Sequence, residues 1–101
     1  MAPRTDARFS DEVPRLLKER QMSLRSLARA SGVTSAHLSR VLRGVNYKSA
    51  SGDLARRVAN ALDLPDDYFP EFREAFVIER LKEDPSLRDH LYARLSRRRS
   101  R

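Results

Sequence analysis

Residues 30–40 decide the fold, and they read ASGVTSAHLSR. Gly32 interrupts a helical pattern, because glycine readily adopts the left-handed backbone conformation that ends a helix. Thr34 follows two residues later, and threonine is favoured at the N-cap of a helix. The stretch therefore predicts two helices joined by a tight turn, the second of which begins with small and polar residues.

The helices on the two sides of this turn each carry apolar residues three and four positions apart. Ser23 is the expected N-cap of the first helix, and Gly44 is expected to end the second. The residues expected to face the core are Leu24, Leu27, Ala28, Leu38, Val41 and Leu42.

The rest of the chain also has helical spacing, with no alternating run of β-branched residues, so the sequence predicts an all-α protein. Asp11 is the expected N-cap of the first helix, and a fourth helix follows the polar segment 45–52. Residues 65–67 predict a short helical turn, after which Tyr68 and Phe69 fold back on the core. Two further helices are expected, over residues 71–83 and from the Asp84-Pro85 pair onward.

The length of 101 residues suits one small domain, and the absence of cysteine excludes disulfides and thiolate metal sites. No stretch approaches the roughly 20 apolar residues of a membrane span. The N-terminus lacks the apolar segment of a signal peptide, so we expect a cytoplasmic protein with no membrane partner. His37 and His90 lie in different regions, and no carboxylate pair, phosphate loop or metal-ligand spacing occurs. We therefore expect no enzyme activity, no metal and no cofactor.

The formal charge of +7 is unevenly distributed. Residues 20–57 carry eight basic side chains against Asp53 alone, whereas residues 58–96 carry nine acidic and five basic ones. Four arginines follow within residues 97–101. A basic block of this kind is typical of a surface that binds a polyanion such as nucleic acid.

An ordered set of residues resembles the helix-turn-helix of the Cro and phage-repressor type, the XRE family. The set comprises Ser23, Leu27, Ala28, Gly32, Val33, Thr34, Leu38, Gly44 and the ALDLP segment at 61–65. The resemblance covers about residues 13–69 and implies a five-helix, lambda-repressor-like DNA-binding domain. The expected organisation is a flexible arm over 1–10, this domain over 11–69, a two-helix extension over 70–96 and a basic disordered tail over 97–101.

The resemblance implies that the third helix enters the major groove of double-stranded DNA. The implied base contacts are Ser35, Ala36, His37, Ser39 and Arg40, among which Arg40 is the best candidate because a guanidinium can bind both O6 and N7 of guanine. The implied phosphate contacts are Ser23, Arg25, Thr34, Arg43, Asn46, Tyr47, Lys48 and Ser49. Many family members have Gln after the capping Ser, where this chain has Leu24, so Arg25 replaces that contact or the contact is absent.

The resemblance further implies a dimer on a palindromic operator. The extension over 70–96 has more apolar residues than the core of a five-helix domain requires, and either it dimerises the protein or it caps the same core. The expected dimer interface comprises Phe72, Phe76, Val77, Leu81, Leu87, Leu91 and Leu95. The leading hypothesis is a transcriptional repressor. The alternatives are an antitoxin or other interaction module, which binds a partner such as a toxin and its own operator, and a non-specific nucleic-acid binder.

Overall fold

A computed structural model describes residues 4–44 and 49–99 of the chain, with the backbone alone at residues 98 and 99. Six helices occur in this part, and it contains no strand, so the prediction of an all-α protein is confirmed. The helices are α1 Phe9–Glu19, α2 Leu24–Ser31, α3 Ser35–Leu42, α4 Gly52–Ala61, α5 Pro70–Glu83 and α6 Pro85–Arg99. In the tertiary structure α4 packs against α2 and α5, and α3 packs against α1 and α2.

Side-chain caps fix the starts of three helices. The hydroxyl oxygen of Ser23 accepts a hydrogen bond from the backbone N–H of Ser26 at 3.0 Å, and that of Thr34 accepts one from His37 at 3.0 Å. Ser51 caps α4 in the same way, at 3.1 Å. The predicted caps Ser23 and Thr34 are thus confirmed, because an N-cap depends on residues only two or three positions away.

The turn between α2 and α3 also matches the prediction. Gly32 has φ +74°, in the left-handed region. The N–H of Val33 donates to the carbonyl of Ala28 at 3.0 Å, and that of Gly32 donates to Arg29 at 3.2 Å. This pair of bonds is the Schellman arrangement, which satisfies carbonyl groups at the end of a helix and turns the chain sharply.

The first helix begins three residues earlier than predicted, and the expected N-cap Asp11 lies inside it, because the N-terminus of the helix is capped from a distance. Phe9 starts α1, and its N–H donates to Oε2 of the buried Glu71 at 2.9 Å. Residues 4–8, which the sequence analysis assigns to the arm, lie beside α5 and the segment before it. Thr5 N–H donates to the carbonyl of Tyr68 at 2.9 Å, and Arg8 binds Glu74 at 2.5 Å.

The segment after α4 contains a single hydrogen-bonded turn at the place where the sequence predicts a short helical turn. Residues 65–67 form a turn, in which the N–H of Tyr68 donates to the carbonyl of Pro65 at 3.0 Å. Helix α5 then starts at Pro70, one residue before the predicted start. Asp84 caps α6 as predicted, since its Oδ1 accepts from Leu87 N–H at 3.0 Å.

The last helix is longer than predicted. Helix α6 continues to Arg99, so residues 97–99 are helical rather than part of a disordered tail. Arginine is a good helix former, and no Gly or Pro follows Pro85 to stop the helix. Residues 100 and 101 of the predicted tail lie outside the described residues.

The core lies among α1 to α4, residue 50 and the Tyr68-Phe69 pair. The rings of Phe9 and Phe69 meet with centroids 5.0 Å apart. Tyr68 is 6% exposed and Phe69 is fully buried, which confirms that this pair folds back on the core. The buried apolar residues are Phe9, Val13, Leu16, Leu27, Ala28, Leu38, Ala50, Leu54, Ala55, Val58, Ala59, Leu62, Tyr68 and Phe69. No side chain of α6 is among them, so α6 lies outside this core.

Candidate DNA interface

Helix α3 is held in place by its apolar side. Leu38 is completely buried, and Val41 and Leu42 are half-buried and pack against the core. The residues predicted to face inward are therefore confirmed. Val33, in the turn, packs against the same core and fixes the angle between α2 and α3.

The opposite side of α3 is open to solvent. Ala36, Arg40 and Arg43 are exposed, and their spacing of four and three residues places them in one stripe along the helix. His37 is also exposed but lies about 100° away from Ala36 around the helix. The predicted base contacts thus fall on the solvent side, with Ser35 and Ser39 half-buried at its edges.

The charge around this stripe is not compensated. No carboxylate occurs between residues 20 and 52. Among the described residues, Arg25, Arg29, Arg40 and Arg43 make no ion pair, whereas several arginines elsewhere do. Examples are Arg8 with Glu74 at 2.5 Å and Arg15 with Glu12 at 2.7 Å. Unpaired guanidinium groups on a convex helix face are suited to contact with phosphates and base edges.

The structure describes five of the eight predicted phosphate contacts. Ser23, Arg25, Thr34, Arg43 and Ser49 are all exposed. Ser23 and Thr34 lie at the starts of α2 and α3, where the positive end of the helix dipole favours an anion. The predicted contacts Asn46, Tyr47 and Lys48 lie outside the described residues.

Two features of α2 go beyond the predicted contacts, namely the packing of Leu24 and the place of Arg29 beside Arg25. Leu24 is half-buried and packs against the core, so the position where many family members have Gln serves packing here. Arg29 lies one turn after Arg25 on the exposed side of α2 and was not among the predicted contacts. The signal for Arg29 is the four-residue spacing of two arginines within the acid-free stretch.

The residues of the predicted dimer interface differ in exposure. Phe72 is half-buried and packs against the core, and Leu81 and Leu91 are half-buried. The exposed members are Phe76 at 59%, Val77 at 52%, Leu87 at 37% and Leu95 at 57%. One chain by itself therefore leaves four of these seven side chains exposed to water.

The family model HTH_3, described as helix-turn-helix, matches residues 15–69. The chain belongs to the HTH_3 family. This match starts within α1 and ends just before α5, so it contains the whole α2–α3 unit and its exposed stripe. As an HTH_3 protein of the Cro and repressor type, the chain is a DNA-binding transcriptional regulator. No curated protein and no solved structure gives a significant match.

Within residues 4–44 and 49–99 there is no group of three or more His, Cys, Asp or Glu side chains that could hold a metal ion. No helix in this part of the chain is both long enough and apolar enough to cross a membrane.

Proposed function

We propose that this protein is a repressor that recognises a palindromic operator as a dimer and places α3 of each copy in the major groove. The observation that carries the proposal is the exposed stripe of Ala36, Arg40 and Arg43, which lies on a helix held by Leu38, within a stretch of sequence, residues 20–52, that contains no carboxylate. A helix of this width fits the major groove, and its N-terminal residues reach base edges first.

Base reading is assigned to the exposed side of α3. Arg40 binds O6 and N7 of a guanine, and Ala36 contacts a thymine methyl group. Ser35, His37 and Ser39 lie near enough on the same helix to contact neighbouring base edges. A single good bidentate contact discriminates against the wrong base by about 1–3 kcal/mol, so Arg40 contributes most to specificity.

Affinity is assigned to contacts with the phosphate backbone. Ser23 and Thr34 lie at helix N-termini, and Arg25, Arg29 and Arg43 carry unpaired charges around α3. The segment 46–49, with Asn46, Tyr47, Lys48 and Ser49, follows α3 and supplies further contacts. These contacts position α3 without reading sequence, and they make binding depend on salt through counterion release.

The test is selection of binding sites from random double-stranded DNA by the purified full chain. We expect an enriched sequence with two inverted half-sites whose centres lie about 10 base pairs, or a multiple of that, apart. An enriched sequence without inverted symmetry would contradict the dimeric palindrome. No enriched sequence at all would indicate a non-specific nucleic-acid binder.

A second candidate is an antitoxin that binds a toxin or another protein through residues 70–96 and also binds its own operator. The exposure of Phe76, Val77 and Leu95 favours it, because a partner could cover these side chains. The measurement is co-expression with the product of the adjacent gene. A stable complex of defined stoichiometry, lost when Phe76 is replaced by Glu, would support this candidate.

A further inference from the structure

The large exposed apolar side chains of the described residues all lie in α5 or α6. They are Phe76, Val77, Ile78, Leu87, Tyr92 and Leu95. Together they present on the order of 600 Å² per copy, so two copies that covered them would reach the roughly 1,200 Å² at which stable interfaces begin. One neighbour cannot cover all six side chains, so the area that a second copy buries here lies at the small end of specific interfaces.

The exposed residues of α5 cannot all face one neighbour. Phe76, Val77 and Ile78 are consecutive, so their side chains point in directions about 100° apart around the helix. Helix α4 packs against the side of α5 with Phe72 and Ala75, and the Cβ of Ala75 lies 2.7 Å from where a Cβ on Gly52 would be. Burying all the exposed apolar side chains of α5 therefore requires neighbouring helices on more than one of its remaining sides.

A groove runs beside Phe76, between the start of α4 and α5. Its volume is about 240 Å³, and Phe72, Ala75 and Phe76 form most of its apolar lining. Glu79 lies at the same groove, where the nearest cation of its own chain is the Lys82 Nζ at 3.9 Å. Asp53 and Arg56, which pair with each other at 2.8 Å, also line the groove, so it is apolar with Glu79 and this ion pair at its edge.

Helix α6 has a matching apolar stripe that its own chain covers incompletely. Leu87, Leu91 and Leu95 are four residues apart and so share one side of the helix. Leu95, farther from the turn at Asp84, is 57% exposed against 37% for Leu87. The radius of gyration is 16.1 Å, compared with about 13 Å for a compact chain of this length, which indicates an extended shape.

The two helices also carry opposite charges that one chain pairs only in part, since Glu79 binds Lys82 at 3.9 Å. Arg94 and Glu83 make no ion pair among the described residues, and Arg97 Nε donates to the carbonyl of Ala93 at 3.4 Å. Glu79 and Glu83 are four residues apart on α5, next to Phe76. The acidic side of α5 and the basic end of α6 are therefore available to each other in two different copies.

We propose that two copies of this chain assemble by exchanging α6. The leucine stripe of α6 from one copy lies in the groove beside Phe76 of the other, with Arg94 next to Glu79 and Glu83. A second copy fits better than an unrelated protein because groove and stripe occur in the same chain, so one two-fold axis fills both grooves. This arrangement rests on the proposed dimer and specifies how it forms.

In the proposed contact the acidic side chains belong to α5 and the basic one belongs to α6, so exchanging these charges between the two helices tests the arrangement. One variant carries Glu79→Arg and Glu83→Arg, and the other carries Arg94→Glu. Dimerisation of each variant alone and of the equimolar mixture is measured by sedimentation velocity. Each variant alone should dimerise about tenfold more weakly than the wild type, because like charges then face each other. The mixture should recover wild-type dimerisation, since both contacts of the heterodimer pair opposite charges.

A mixture that dimerises no better than the separate variants would overturn the proposal. So would unchanged dimerisation of either variant alone, which would indicate contacts of α5 with α5 or of α6 with α6. The same variants are titrated with a DNA half-site, whose affinity should stay at the wild-type value. A wild-type protein that dimerises as described but has no sequence preference would contradict the proposed function and leave the exchange of α6 intact.

Leu95→Glu and Ala93→Glu form a matched pair that tests the apolar contact. Both place a carboxylate at an exposed position of α6, but residues 93 and 95 lie about 200° apart around the helix. Leu95→Glu should give a monomer at concentrations where Ala93→Glu remains dimeric. Equal behaviour of the two variants would overturn the assignment of the leucine stripe to the interface.

Discussion

Gly32 and Gly52 are required for different physical reasons. Gly32 has φ +74°, where a side chain is strained, and the sequence pattern predicts this position directly. Gly52 lies in the first turn of α4, and a Cβ there would be 2.7 Å from the Cβ of Ala75. That close approach joins α4 to α5 and leaves no local signal, so only the tertiary structure shows it.

Replacing Gly52 by Ala should destabilise the protein by about 1–3 kcal/mol, because the new methyl group overlaps Ala75. The expected loss opposes the gain of about 1 kcal/mol that Ala brings to a helix interior. Urea unfolding followed by circular dichroism measures the difference. The double variant Gly52→Ala, Ala75→Gly should recover most of the loss, whereas a single variant more stable than the wild type would contradict the close packing.

Among the proposed binding residues, the predicted and the observed local structure agree where the cause is local. Thr34 and Ser23 were predictable as caps because each acts within its own helix turn. The exposure of Arg40 followed from the burial of Leu38 two residues away. Arg29 was not among the predicted contacts, although its four-residue spacing from Arg25 within the acid-free stretch is visible in the sequence.

A group of polar side chains links helix α1 to Tyr68, which packs in the core. The hydroxyl of Tyr68 donates to Oε2 of the buried Glu12, and Arg15 binds both oxygens of this carboxylate, at 2.8 and 2.7 Å. The hydrogen bond from Arg15 is the main cause that lowers the pKa of Glu12 below its usual value, with the Tyr68 hydroxyl adding to it against the effect of burial. The ionised carboxylate therefore stabilises the folded state.

This lowered pKa predicts how stability depends on pH. The contribution is fully present above the unfolded pKa of about 4.3 and is lost as the pH falls through the lower folded pKa. The free energy of unfolding of the wild type should thus fall more steeply between pH 5 and pH 3 than that of Glu12→Gln. Glu19→Gln, an exposed change on the same helix that also borders Arg15, should keep the wild-type slope. Parallel curves for wild type and Glu12→Gln would contradict the role of this carboxylate.

The helix boundaries show why part of the fold escaped prediction. The start of α1 at Phe9 depends on Glu71, which lies 62 residues away in sequence. The turn at residues 65–67 has the composition of a helix start, yet the chain turns there so that Tyr68 and Phe69 reach the core. Helical periodicity predicted the number and order of the long helices, but contacts between distant residues set their ends.

The molecule as a whole separates its charges and its apolar surface. The α2–α3 unit carries unpaired arginines and rests on the core, while α5 and α6 carry the exposed apolar side chains. Composition predicted the basic block, and the family resemblance predicted its use. The spacing of the leucines in α6 predicted an apolar stripe, but its exposure could only be seen once α6 was placed outside the core.

Variants of Arg40 and Arg25 can distinguish the proposed reading of bases from the proposed attraction to phosphates. Both arginines are exposed, and neither makes an ion pair within the part of the chain that the structure describes. Arg40→Ala and Arg25→Ala remove the same charge, one from α3 and one from α2. Fluorescence anisotropy gives the affinity of each variant for the selected operator and for a scrambled duplex over a range of salt concentrations.

Arg40→Ala should cost about 1–3 kcal/mol on the operator, with a much smaller loss on scrambled DNA, and should relax the preference at one base position. Arg25→Ala should weaken both duplexes alike and lower the slope of log K against log salt by about 1. Equal losses on the two duplexes for Arg40→Ala, or no loss on either, would contradict the reading of DNA by α3.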